Sequence, residues 1–174
     1  MQNLAIKESE KNKIYSYKSM NIRKAVQTDL PKIKNLYFQL FEQMAHHEPD
    51  YMQTAHQDES FLQRVIAGED QFTAFVYRAD DEVKGIAISQ LQESPPYNCF
   101  VPLKCMYLMD IVVDTDMRGI GIGKALIDRV KTWAKENEAD YVELSVLSKN
   151  AYAAALYLHE GFEPYSLSMR LKIE

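Results

Sequence analysis

The run RGIGIGK, Arg118 to Lys124, holds three of the chain's six glycines in seven residues, between two cations. Glycines at this density let a backbone fold tightly around something. Where such a loop leads from a strand into a helix, its N–H groups and the helix dipole favour an anion, a pyrophosphate above all. The competing reading is a tight strand-to-helix turn that binds nothing. Spacing narrows the anion readings. A G-x-G-x-x-G dinucleotide fingerprint started at Gly119 meets Lys124 where it needs glycine. A Walker loop ending on Gly123-Lys124 would start at Arg118 and needs Ser or Thr where Ala125 stands. What is left is strand, R-x-x-G-x-G, helix.

A second constellation sits in NAYAAALYLHEGF, Asn150 to Phe162. Asn150 and Tyr157 are seven apart, two helical turns, so they share a face about 10 Å apart along the axis. One extended ligand could touch both. Asp110 is the one charged residue in CMYLMDIVV, residues 105–113. A strand aspartate can simply orient neighbouring backbone. Glu143 stands between the apolar Val142 and Leu144 in the 141–146 strand. His46 and His47 are neighbours, so on a helix they diverge by about 100° and make no shared metal site. Cys99 and Cys105 lack the further ligands of a zinc set, so no metal is expected.

These residues need elements to position them. Residues 1–20 are polar and without period, and read as an N-terminal extension; 21–174 read as one domain. A strand over 20–26 leads to Thr28 as a helix cap, then to a stripe of Leu30, Ile33, Tyr37, Leu40, Phe41 and Met44. A shorter helix over about 58–67 ends at Gly68. Strands at 71–79 and 83–91 flank Asp80-Asp81-Glu82, a hairpin signal. Residues 93–104 carry three prolines and form a loop. Residues 105–113 form a strand buried on both faces. A helix over 120–137, a strand over 141–146, a helix over 150–160 with Gly161 behind it, and a last strand over 167–173 complete the chain. The alternation predicts an α/β domain of about seven strands and four helices.

At 174 residues and 47% hydrophobic content the chain has enough apolar mass for one core. A net charge of −5 argues against bulk nucleic-acid or anionic-membrane binding. Two cysteines, no signal-like N-terminus and no run of 18 apolar residues fit a cytoplasmic protein with free thiols.

Taken together and in order, R-x-x-G-x-G behind the 105–113 strand and N-x-x-A-x-x-L-Y-x-x-x-G-F from Asn150 resemble the GCN5-related N-acetyltransferase family, over about residues 20–174. LMDIVVDTDMRGIGIGKALI, 108 to 127, is most similar to the spermidine/spermine acetyltransferase branch. The resemblance implies a mixed, mostly antiparallel sheet with a V-shaped splay between strands 105–113 and 141–146. It implies acetyl-CoA in that opening, a bulged strand whose Ile111, Val112 and Val113 backbones pair with pantetheine, and the pyrophosphate on Gly119, Ile120, Gly121, Ile122, Gly123 and Lys124, with Arg118 beside it. It places Asn150 against pantetheine and Tyr157 near the sulfur as general acid, with Asp110 as base or amine anchor; Glu143 reaching the same cleft and water carrying the proton out are the alternatives for the base. The branch has glutamate where this chain has Met109, which counts against polyamine specificity and leaves a polyamine-like amine as one candidate acceptor. The implied activity is direct acetyl transfer to a primary amine of a small molecule. A protein or peptide N-acetyltransferase and a non-catalytic acyl-CoA-binding domain are the alternatives. Helix 28–45 and the segment behind it often wall the acceptor in this family, which makes Glu48, Asp50 and Tyr51 candidate substrate contacts. Homodimers are common in it, and the last strand could pair across an interface.

Overall fold

A computed structural model describes residues 21–173. Five strands form one sheet in the order β1-β2-β3-β4-β5: Ile22–Lys24, Phe72–Ala79, Glu82–Glu93, Lys104–Val113 and Tyr141–Leu144. The first four pair antiparallel, and β4 with β5 is parallel. Four helices accompany them: α1 Leu30–His47, α2 Glu59–Ala67, α3 Ile122–Glu136 and α4 Ala151–His159. No helix among the described residues is long and apolar enough to cross a membrane.

Local chemistry explains the boundaries. Asp29 closes the entry to α1, accepting both guanidinium nitrogens of Arg23 and the Val26 N–H. The N-cap falls on Asp29 rather than on the expected Thr28, and the buried Asp29 carboxylate bonds no N–H of α1 but pairs with Arg23. Pro31 sits in the first turn, where its missing N–H costs nothing. Asp58 caps α2 through the Phe61 N–H, and Gly68 ends it at φ 77°. Asp80 and Asp81 both take positive φ, 48° and 63°, as a two-residue hairpin turn demands.

Each face of the sheet has its own core. Ile33, Leu36 and Tyr37 of α1 and Leu62 and Val65 of α2 cover Ala74, Val76, Ile86, Ile88 and Val112. Leu126, Ile127 and Val130 of α3 cover the opposite face with Phe75, Ala87, Met106 and Leu108. Gly85 lets α3 lie close to β3, since a Cβ there would meet Ile122 and Leu126 at 3.3 Å.

Two expectations are corrected. The described sheet has five strands rather than about seven, and residues 167–173 form no strand. Their alternation is strand-like, yet no strand among the described residues pairs with them to satisfy the backbone as a strand needs.

Candidate active site

β4 and β5 form a fork. They pair from Cys105–Tyr141 to Leu108–Leu144 and then part. The parting coincides with a bulge: Ile88 faces Asp110 and Ser89 faces Leu108, so Met109 is an extra residue in β4. Leu108 packs with the α3 core, Met109 and the Asp110 side chain face α1, and Ile111 returns to the α3 side. A bulge bends the strand that carries it. Here the bend begins where β5 stops.

Beyond the bulge, β4 has a free edge. The Asp114 N–H bonds the Lys84 carbonyl at 2.8 Å. Backbone direction alternates along an antiparallel ladder. Val112 therefore turns its polar groups toward β3, while Ile111 and Val113 turn theirs into the fork. The Val113 carbonyl confirms this phase, since it accepts from Arg118 Nε at 2.9 Å. Of the three strand backbones expected to face a ligand, Val112 is thus the one directed elsewhere.

The glycine loop ends in a bare helix terminus. Gly119 and Gly121 adopt φ of 77° and 89°, and Gly121 is the N-cap of α3 with no side-chain cap bond. The N–H groups of Ile122, Gly123 and Lys124 have no acceptor inside the helix. Ile120 is half exposed, whereas the Ile122 side chain belongs to the core. A Cβ on Gly123 would touch Leu156 at 3.4 Å, so this glycine also serves the contact of α3 with α4. The two cations flanking the loop are both engaged. Lys124 Nζ bonds the buried Glu160 at 2.7 Å and pairs with Asp128 at 3.2 Å. Arg118 is held by Val113 and by the side-chain oxygen of Gln43 from α1.

Asn150 caps α4, accepting from the Ala153 N–H at 3.1 Å, which leaves its amide nitrogen available. Tyr157 is buried on the same helix, among Leu108, Ile111 and Leu144 at the mouth of the fork. Its hydroxyl bonds no other group among the described residues. Burial, then the nearby Asp110 charge, push that hydroxyl up to about 12. Burial also holds the Asp110 carboxyl above the usual aspartate range, opposed by the hydrogen bond it accepts from Tyr37 Oη at 2.6 Å. Tyr37 itself has no solvent exposure. Glu143 accepts from Tyr165 Oη at 2.6 Å. Glu48 meets Lys149 at 3.5 Å and Arg170 at 3.8 Å, and the Arg170 guanidinium lies 3.9 Å from the Tyr51 ring centre.

The structure therefore brings Asp110, Ile111, Val113 and Tyr157 to one fork and leads from it to the 118–124 loop. Three residues of α1 were not legible as part of it. Tyr37 and Gln43 reach Asp110 and Arg118, and Gln39 accepts from the Thr115 N–H and hydroxyl at 3.2 and 3.1 Å. Tyr37 reads as one more apolar position in a helix stripe. The only available signal was that an Asp inside an apolar strand needs a partner.

A sheet forked at a bulge, with a glycine-capped helix behind it, is the architecture of an acyl-CoA-using transferase fold, and the sequence agrees. Residues 30–162 match the acetyltransferase (GNAT) family, and the chain belongs to it. A mutant of the BH1408 protein from Bacillus halodurans superposes with a TM-score of 0.84 at 25% identity, over 89% of this chain and all of that one. An aminoglycoside N-acetyltransferase in complex with CoA superposes at 0.67 and 19% identity, over 88% of this chain and 99% of that one, a likeness of fold. The mycothiol acetyltransferase of Beutenbergia cavernae is 44% identical over 55 residues, 32% of this chain and 18% of that protein. An N-acetyltransferase of Bacillus subtilis is 41% identical over 59 residues, 34% and 24% respectively. The chain thus spans less than a quarter of either curated relative.

Proposed function

We propose that this protein transfers acetyl from acetyl-CoA directly to a primary amine of a small molecule. One observation carries the reading: the free edge of β4 beyond Met109, with Tyr157 at the fork and an uncapped helix terminus beyond it. Pantetheine is a strand-like chain of amides, and the free groups of Ile111 are its hydrogen-bonding counterparts. The pyrophosphate takes the N–H groups of 119–124, whose acceptors are missing. The Asn150 amide nitrogen donates to a pantetheine carbonyl. Arg118 acts through Val113 and Gln43 and shapes the loop from behind.

In the reaction the amine nitrogen attacks the thioester carbonyl, and the carbonyl oxygen takes the negative charge. A backbone N–H of the freed strand stabilises that oxyanion; one such donor is typically worth about 2.7–4 kcal/mol. Collapse breaks the C–S bond and releases the thiolate. Tyr157 is protonated throughout the neutral range and donates to the sulfur. Full transfer from a hydroxyl near 12 to a thiolate whose acid has a pKa of about 8.5 is uphill by about 5 kcal/mol. Tyr157 therefore stabilises the thiolate by a hydrogen bond, and the sulfur takes its proton from solvent on release. Asp110 accepts the amine proton directly or through one water, its raised pKa narrowing the gap to the amine. Neither cysteine suits a covalent intermediate: Cys105 is buried with its thiol pushed up, and Cys99 lies in an exposed loop.

The test is CoA release from acetyl-CoA with polyamines, aminoglycosides, amino acids and short peptides as acceptors. Turnover with one class of small amine, reduced about 10- to 100-fold in Tyr157→Phe, is expected for the loss of a bond to a charged sulfur. Acetyl-CoA binding without release by any amine would favour a non-catalytic acyl-CoA-binding domain. Turnover confined to peptides would move the acceptor to proteins.

A further inference from the structure

The helix that carries Tyr157 is thinly seated on the sheet. α4 has nine residues, and Tyr157 is the one buried among them; Tyr152 and Leu158 are exposed. A helix this short takes its stability from what it packs against rather than from its own hydrogen bonds. Apolar burial alone therefore holds the last turn of α4 loosely, and that turn presents the Tyr157 hydroxyl at the fork. A second kind of contact does the holding, and it centres on Glu160. The Glu160 side chain is 4% exposed, and its carboxylate meets two ammoniums of α3, Lys124 at 2.7 Å and Lys131 at 3.4 Å. Burial pushes the carboxyl up, and the two lysines more than offset this, leaving it below the usual glutamate range and charged at neutral pH. Lys131 also donates to the Glu160 carbonyl at 2.7 Å, which places a cation on the open end of α4.

Lys124 and Lys131 are seven apart, two turns along one face of α3. Sliding α4 along α3 would draw the carboxylate away from one of them. A buried carboxylate that loses its partners is strongly disfavoured, so the position is enforced. The clamp reaches Tyr157 through two short paths. The Glu160 and Phe162 N–H groups both donate to the Tyr157 carbonyl, at 3.1 and 3.0 Å. The Phe162 ring packs edge-on to the Tyr157 ring at 5.9 Å, and Lys131 Nζ lies 5.5 Å from the Phe162 ring centre. We propose that Glu160 is a positioning residue for the transfer: by fastening the last turn of α4 to α3 through Lys124 and Lys131, it holds the Tyr157 hydroxyl at the fork. This rests on the acetyl-transfer reading, in which Tyr157 meets the sulfur. Glu160 touches neither acetyl-CoA nor the amine in it and acts through Tyr157.

A double-mutant cycle on kcat separates positioning from general damage. Glu160→Gln removes the charge at unchanged size. It is expected to lower kcat about 5- to 20-fold in the wild type, and by less than about twofold more in a Tyr157→Phe background. An unchanged kcat overturns the proposal. So does a loss that repeats in full on Tyr157→Phe, or an acetyl-CoA affinity that falls as far as kcat, since either would mean that the variant harms the site as a whole. Amide hydrogen exchange at neutral pH reads the same variant without turnover, so a failure of the acetyl-transfer reading is told apart from a failure of this one. The Gly161 and Phe162 amides, which close the last turn, are expected to exchange at least about tenfold faster, while the amides of β3 keep their protection. Unchanged exchange at 161 and 162, or acceleration that extends through β3, overturns the proposal. Lys131→Met leaves Glu160 charged and paired with Lys124, and it carries both readouts if Glu160→Gln does not fold.

Discussion

The edge of β4 that faces the fork and the face of β4 that meets α1 build the same site from different material. At the edge the groups proposed to bind the ligand are backbone: the free groups of Ile111, the Val113 N–H and the first N–H groups of α3. On the face they are side chains that meet across the fold, Asp110 with Tyr37 and Arg118 with Gln43. The difference decides how each can be damaged. Backbone chemistry is lost by changing conformation, side-chain chemistry by removing an atom.

Asp110→Asn is the sharpest cut. Asparagine still accepts from Tyr37 and fills the same space, so the fold survives while the proposed base is gone. A fall in kcat of about 10²- to 10⁴-fold is expected. Stability moves the other way. Asp110 holds its proton more tightly folded than unfolded, so the stability linked to that proton is present below about pH 4 and lost as pH rises through the raised folded value. At pH 7 the asparagine variant should melt no lower than the wild type. A variant that keeps activity would move the proton path to Glu143 or to water.

On the backbone edge the corresponding cut is Gly121→Ala. Its φ of 89° strains any residue with a Cβ, by about 1–2 kcal/mol. We expect acetyl-CoA affinity, measured by calorimetry, to fall about 5- to 30-fold, with kcat at saturation little changed. An equal fall in kcat alone would put the loop in the chemistry rather than in binding.

Tyr37→Phe should give a smaller effect with a distinctive form. Its hydrogen bond lowers the Asp110 pKa against burial. Without it the pKa rises further, so the acidic limb of kcat/KM moves to higher pH, with less than tenfold loss on the alkaline plateau. A profile that drops without moving would reduce Tyr37 to packing. The mildest change is Gly123→Ala, whose Cβ meets Leu156 at an ordinary 3.4 Å. Acetyl-CoA affinity should stay within about threefold.

The same contrast accounts for what could be read in advance. Loop 118–124, the α3 stripe and the Gly68 and Gly161 stops are written in local spacing, and the structure has them. The five-strand sheet replaces the larger one expected because strand existence depends on a partner, and alternation at 167–173 says nothing about where that partner is. Asp110 stood out as a charge in an apolar strand. Its partner did not, because Tyr37 lies 73 residues away and resembles every other core aromatic. The committed state of the Arg118 and Lys124 side chains was equally hidden, since each is fixed by a residue distant in sequence.

Met109 occupies a place that β4 counts in length but not in parity. Remove it, and Leu108 would still face α3 and Asp110 α1, so the inside–outside pattern of the strand would be intact while the cause of its bend was gone. The residue is a shim: its thickness opens the sheet, while its side chain lies partly buried against the α1 core. A substitution here changes what α1 packs against and leaves the register on either side of the bulge as it is.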